Sequence, residues 1–213
     1  MNKHVIIIMI ALLFIATIFT GCVKVVKIGQ EGELTGELTF NAGDDVAKIW
    51  ESQVIPELSE KAVELNVFLT EANGDLESLA DKYGKYSMGT CGELCYVVQG
   101  TGTVKEVNQE KKAGFLEVTL DDYSGPEIIK LQIGTVYKGS AVRDSLDFIK
   151  YEDYKNQVEW AAVSQSIHDT IQKDVIEPLD LDSLTGNTIE FLGCFSVSKD
   201  DEILITPIQL MVR

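Results

Sequence analysis

The spacing of apolar residues changes along the chain, and each change predicts a different element. Residues 5–19 form an uncharged, apolar run of 15 behind Lys3, and Thr20-Gly21 then places small residues before Cys22. A basic start, a greasy stretch and a small-residue junction are the three parts of a secretory leader. The run is short for a bilayer span, which needs ~20 apolar residues. Leu34, Leu38 and Phe40 lie among polar residues and predict a strand after a tether. Asn41-Ala-Gly-Asp-Asp45 then reads as a turn and helix start, its acids suited to a helix N-terminus. Val46, Ile49, Trp50, Val54, Leu58, Ala62 and Leu65 recur at steps of three and four, the face of an amphipathic helix with Trp50 as a core anchor. Pro56 either kinks this helix or starts a new one. Residues 71–90 are polar with Gly74, Gly84 and Gly89, and Leu76, Leu79 and Ala80 suggest a short second helix before a domain boundary.

From residue 92 the pattern is that of strands. Predicted strands run from 94 through Gly100-Thr-Gly102 to 107, over 115–120 and over 128–137. A long connection with a short helical piece near 142–149 follows. Trp160, Val163, Ile167, Ile171 and Val175 then mark a second long amphipathic helix over 158–179. Strands at 188–197 and 203–212 close the chain, with a turn at Lys199-Asp-Asp201. Strand-strand-strand-helix-strand-strand is the order of an OB-like barrel. The fold class is therefore α+β, mainly β, with the barrel preceded by an N-terminal strand and amphipathic helix. The organisation is a leader at 1–21, a tether, strand and helices at 22–90, and an OB-like β-barrel domain at 91–213. Val54-Ile-Pro-Glu-Leu58 echoes Val175-Ile-Glu-Pro-Leu179. Helix faces draw on few residue types, so the echo reads as coincidence unless a unit is duplicated.

Charge narrows the partners. The chain carries 34 acidic and 18 basic residues, a net charge of −16, which argues against nucleic acid as a ligand. Removing 1–21 takes away Lys3 and no acid, which leaves −17. Anionic phospholipid repels such a chain, so a lipid rather than a basic patch must hold it at a membrane. Phe19-Thr-Gly-Cys22 resembles the bacterial lipobox, with Phe19 where Leu is usual, and it marks Cys22 for lipidation. Cys91, Cys95 and Cys194 remain. Cys91-Gly-Glu-Leu-Cys95 has neither the spacing of a thioredoxin dithiol nor that of a zinc ribbon. A 91–95 disulfide, or one from either to Cys194, stays open, and Cys194 in its apolar run also reads as a small core residue.

Catalytic patterns are scarce. Gly100-Thr-Gly102 lacks the third glycine and the helix of a phosphate loop. Asp180-Leu-Asp-Ser-Leu-Thr-Gly186 starts like a calcium loop but has Leu184 and Phe191 where ligands belong. His168 stands on the second long helix without a nucleophile beside it in sequence. The chain is therefore expected to be no enzyme and to hold no metal or cofactor. The long connection differs in kind. Arg143, Asp144, Asn156 and Gln157 offer planar hydrogen-bonding groups and Trp160 offers a ring for a sugar face, a candidate binding set. The same residues also suit a structural role, with Arg143 and Asp144 pinning the loop while Asn156 and Gln157 cap the helix.

The runs Ile133-Gly-Thr-Val-Tyr-Lys-Gly-Ser-Ala-Val-Arg-Asp144, Phe148-Ile149, Tyr151, Tyr154-Lys-Asn-Gln157 and Glu159-Trp-Ala161 resemble a family of predicted bacterial periplasmic lipoproteins. The resemblance extends through 40–65 and through Ile205-Thr-Pro-Ile-Gln-Leu210. Members are often encoded beside sugar ABC importers, particularly ribose-type systems. The resemblance implies an OB-like fold, as one barrel or as two intertwined barrels, and it carries no catalytic positions. The expected function is that of a membrane-anchored extracytoplasmic lipoprotein, accessory to a carbohydrate ABC importer. Its partners would be the membrane, through the lipid, and the sugar-binding protein or permease; its place is the cell membrane, periplasmic in a cell with two membranes. The alternative is a cell-envelope structural or interaction module without a small-molecule ligand.

Overall fold

The computed structural model describes residues 42–90, 92–198 and 202–213. The leader, Cys22, the early strand, Cys91 and the turn at 199–201 lie outside the described residues. Residues 41–213 form one compact unit.

The first amphipathic pattern folds as two helices in line. Helix α1 (Ala42–Ile49) has Asp44 and Asp45 in its first turn, where the helix dipole favours acids. Helix α2 (Ile55–Lys61) starts with Pro56 in its first turn. Between them Trp50–Val54 forms a π-helical turn, in which the Ile55 N–H reaches the Trp50 carbonyl. Pro56 has no N–H and its ring crowds the carbonyl four residues back, and the wider turn relieves that crowding. Val46, Trp50, Val54 and Leu58 are all buried.

A two-residue strand β1 (Val63–Glu64), helix α3 (Leu65–Ala72), a 3₁₀ turn (Leu76–Leu79), helix α4 (Ala80–Tyr83) and strand β2 (Lys85–Thr90) follow. Helix α3 ends at Asn73, which takes the left-handed conformation (φ 47°) suited to a helix end. The polar segment 71–90 thus holds more structure than its composition predicts. Its anchor is aromatic: Phe68 of α3 lies 4.7 Å from Tyr96 and 5.9 Å from Phe195, ring to ring.

The remaining strands are β3 (Leu94–Asn108), β4 (Phe115–Leu120), β5 (Ile128–Gln132), β6 (Thr188–Ser196) and β7 (Glu202–Val212). Strand β3 pairs antiparallel with β4, β4 with β5, β5 parallel with β7, β7 antiparallel with β6, and β6 antiparallel with β3. The pairing therefore closes on itself as a five-strand ring, the OB order 1-2-3-5-4. Closure depends on the 15-residue length of β3: residues 95–103 bond β6 and residues 102–108 bond β4. Gly102 sits where both partners meet β3, and a Cβ there would lie 2.6 Å from the Thr119 carbonyl. Strands β1 and β2 also pair with β3, which ties the segment before residue 91 to the ring. Among the described residues there is one ring, not two intertwined barrels.

Strand β5 stops at Gln132 instead of reaching 137. Ile133 N–H and Val136 N–H turn to the carbonyls of Gly114 and Lys112, and Gly134 packs so tightly there that a Cβ would fall 2.1 Å from the Lys112 carbonyl. Buried Gln132 fastens the turn by donating to Thr206 Oγ1 and the Lys138 carbonyl. Helix α5 (Ala141–Ser145) and helix α6 (Gln157–Ile171) fill the crossover. Helix α6 runs into a second π-helical turn, Gln172–Ile176, closed by Glu177 N–H on the Gln172 carbonyl. Like the first, it ends two residues before a proline, here Pro178.

Candidate functional site

Three of the five residues singled out in the long connection converge. Arg143 of α5 donates from Nε and Nη2 to Asp144 Oδ1, at 2.8 and 2.7 Å, and from Nη1 to the Trp160 carbonyl at 3.1 Å. Its guanidinium carbon lies 4.0 Å from the centroid of the Trp160 ring, which Tyr151 and Tyr154 flank at 5.7 and 5.3 Å. Arg143, Asp144 and Trp160 are all buried. Burial pushes the Asp144 carboxyl above its ordinary value, and Arg143 pulls it back only in part. The cluster clamps α5 to α6. Asn156 stands outside it as the cap of α6, its Oδ1 accepting from the N–H groups of Val158 and Glu159. Gln157 is the first residue of that helix and is exposed.

Clamped in this way, α5 presents its C-terminal end to a cleft. The last carbonyls of a helix attract cations. Lys61 Nζ, from the end of α2, donates to the Ser145 carbonyl at 2.9 Å, and Lys85 Nζ, from the start of β2, donates to the Leu146 carbonyl. The same two ammonium groups hold the carboxylate of Asp147: Lys61 meets Oδ2 at 2.8 Å and Lys85 meets Oδ1 at 2.9 Å. Lys61 also reaches Glu57 Oε1 at 2.6 Å, and the same oxygen accepts from Asp147 N–H. Lys82 also lines the cleft, paired with Glu71 and lying over the Tyr83 ring. The cavity between them has a volume of about 350 Å³, with Cys95 and Ser145 in its lining.

The charges there are tuned by contact. Hydrogen bonds from Lys61 and then Lys85 hold the Asp147 carboxyl below its ordinary pKa. Desolvation pulls the Lys61 ammonium down, but its bonds to Asp147 and Glu57 outweigh that and its pKa is raised. Cys95 is buried, and desolvation pushes its thiol up to about 11, which keeps it protonated at neutral pH. Cys194 is buried beside Ser145 and pushed up to about 12. Among the described residues Cys95 and Cys194 are free thiols and are not bonded to each other. His168 is buried and stacks on Tyr137 at 4.8 Å; desolvation lowers its pKa to about 4. Among the described residues no three His, Cys, Asp or Glu side chains converge on a point that could hold a metal ion.

Lys61, Lys82, Lys85 and Asp147 were not legible as a site. They are scattered from position 61 to 147, and no local spacing joins them. No local signal singles them out: Lys82-Tyr-Gly-Lys85 brings two cations close together, but so do Lys24-Val-Val-Lys27 and Lys111-Lys112.

The model of a protein family described as "Predicted periplasmic lipoprotein (DUF2291)" matches residues 12–211. No curated protein matches the chain. Among solved structures, an OB-fold protein from Thermotoga maritima is similar at a TM-score of 0.63 and 17% identity, over 82% of this chain and 99% of that one. At that identity the likeness concerns the fold, and it agrees with the five-strand ring.

Proposed function

The chain belongs to this family of predicted periplasmic lipoproteins, and from that premise we propose that its barrel is a non-catalytic binding module, tethered to the membrane by lipid on Cys22 and accessory to a carbohydrate ABC importer. The extracytoplasmic setting follows from the family. The importer rests on the likeness of the 133–161 runs to proteins encoded beside such systems. The observation that carries a binding role is the cleft at the end of α5: about 350 Å³, lined by three lysines from three elements, in a chain whose net charge is strongly negative. The non-catalytic reading draws on the burial of His168, Cys95 and Cys194 and on the closure of Arg143 upon Asp144 and Trp160. These groups are packed away from solvent, the two thiols are kept protonated at neutral pH, and the His168 ring is a weak base stacked on Tyr137. That same closed clamp is what favours the second reading, an envelope interaction module in which the Arg143–Trp160 region only holds the fold.

The two readings are separated by titrating the lipid-free mature chain with mono- and disaccharides and by pulldown of the cognate sugar-binding protein and permease. Binding of either kind is the expected result. Silence with every sugar and every transporter component removes the importer reading and leaves the interaction module.

A further inference from the structure

Asp147 occupies its position in an unusual way. Its side chain is 66% exposed, yet each of its oxygens faces a separate ammonium group at 2.8 or 2.9 Å. Each of those ammonium groups also has a partner other than Asp147. Lys61 is held by Glu57 and the Ser145 carbonyl, and Lys85 by the Leu146 carbonyl. The Asp147 backbone is likewise fixed by its N–H bond to Glu57. The Asp147 carboxylate can therefore leave by side-chain rotation alone, with the two donors staying where they are. A pair of fixed cations with one donor each aimed at a common point is a pre-organised seat for an oxyanion. The seat opens on a cavity whose volume falls in the small-ligand range of ~300–1,000 Å³. Lys82 also lines the cavity, its ammonium held by Glu71.

We infer that the Lys61–Lys85 seat is an oxyanion subsite, that Asp147 is the internal carboxylate holding its place, and that the ligand is a small polyol bearing a carboxylate or phosphate that displaces Asp147. The inference deepens the binding-module reading and rests on it. It differs from a latch reading in one respect: a latch is weakened by removing Asp147, whereas a seat is emptied by it.

The test is calorimetric titration of the lipid-free mature chain with D-glucuronate, glucose 6-phosphate and D-glucose at low salt. D-glucuronate and glucose 6-phosphate distinguish the two sources of the anion. Either is expected to bind, weakening as salt rises, while D-glucose does not compete. Asp147→Asn is expected to bind the same anion about tenfold more tightly, equal to ~1.4 kcal/mol, which is of the order of two exposed ion pairs. Lys85→Gln, which leaves Lys61 bonded to the Ser145 carbonyl at the end of α5, is expected to lose binding about tenfold or more. Unchanged or weaker anion binding in a folded Asp147→Asn chain overturns the inference, as does full binding by Lys85→Gln. Binding of a neutral sugar or a transporter component without any anion binding sinks this subsite and leaves the binding-module reading standing. No binding of any kind sinks both.

Discussion

Arg143 has partners on every side: Asp144 at its fork, the Trp160 carbonyl at one nitrogen and the Trp160 ring across its face. A buried ion pair of this kind is weak evidence of net stability, because desolvation offsets most of the attraction. Breaking it is a different matter. Arg143→Ala leaves Asp144 buried without its counter-charge and is expected to cost about 3–5 kcal/mol, while Arg143→Met with Asp144→Leu recovers most of the loss. Denaturant unfolding of both variants measures this, and equal losses in the two would show that the pair is not what α5 depends on. His168 makes a second residue-scale prediction. Its folded pKa near 4 lies below the ordinary 6.5, so the unfolded chain takes up the proton first as pH falls. The contribution of its neutral ring to stability is present in full above pH 6.5 and declines toward pH 4, by up to roughly 3 kcal/mol. In His168→Phe, which keeps a ring against Tyr137, unfolding midpoints followed between pH 7 and 4 should lose that part of the acid slope.

At the scale of elements, the two long helices share a device. Each ends in a π-helical turn two residues before a proline, at Trp50–Val54 before Pro56 and at Gln172–Ile176 before Pro178. The echo between Val54-Ile-Pro and Val175-Ile-Glu-Pro is therefore two instances of one local solution to proline crowding, and it does not require duplication. Helix α6 is started by Asn156, whose side chain satisfies two backbone N–H groups. Asn156→Ala is expected to cost about 1 kcal/mol by thermal or denaturant unfolding. The elements legible in the sequence were those with long periodicity: both amphipathic helices and all five ring strands. Those missed, β1, α3 and β2, take their order from Phe68 packing on Tyr96 and Phe195 and from pairing with β3. Neither cause is local, so no window of sequence around residue 70 carries it.

For the whole molecule, a net charge of −16, or −17 for a chain that starts at Cys22, sets the problem of attachment. A body so acidic is repelled by anionic lipid, and covalent acyl chains contribute ~0.8 kcal/mol for each buried CH₂. Mass spectrometry of the membrane fraction is expected to find a chain beginning at an acylated Cys22. Cys22→Ala should retain its leader and carry no lipid, and an acylated product from that variant would dismiss Cys22 as the attachment point. In so acidic a chain the cleft is one place where lysines gather, Lys61 and Lys85 on Asp147 and Lys82 on Glu71, and moving Asp147 aside uncovers positive charge there.

Helix periodicity and strand order could be read from neighbours in the chain, because each depends on spacings of a few residues; the leader and lipobox, read in the same way, lie outside the described residues. The ring and the cleft could not. Ring closure waits on a 15-residue strand that bonds two partners at once, and the cleft waits on α2, β2 and the end of α5 arriving at one point. Lys61, Lys85 and Asp147 meet only because the barrel and its clamp hold those elements in place, and such distances are properties of packing between segments far apart in sequence.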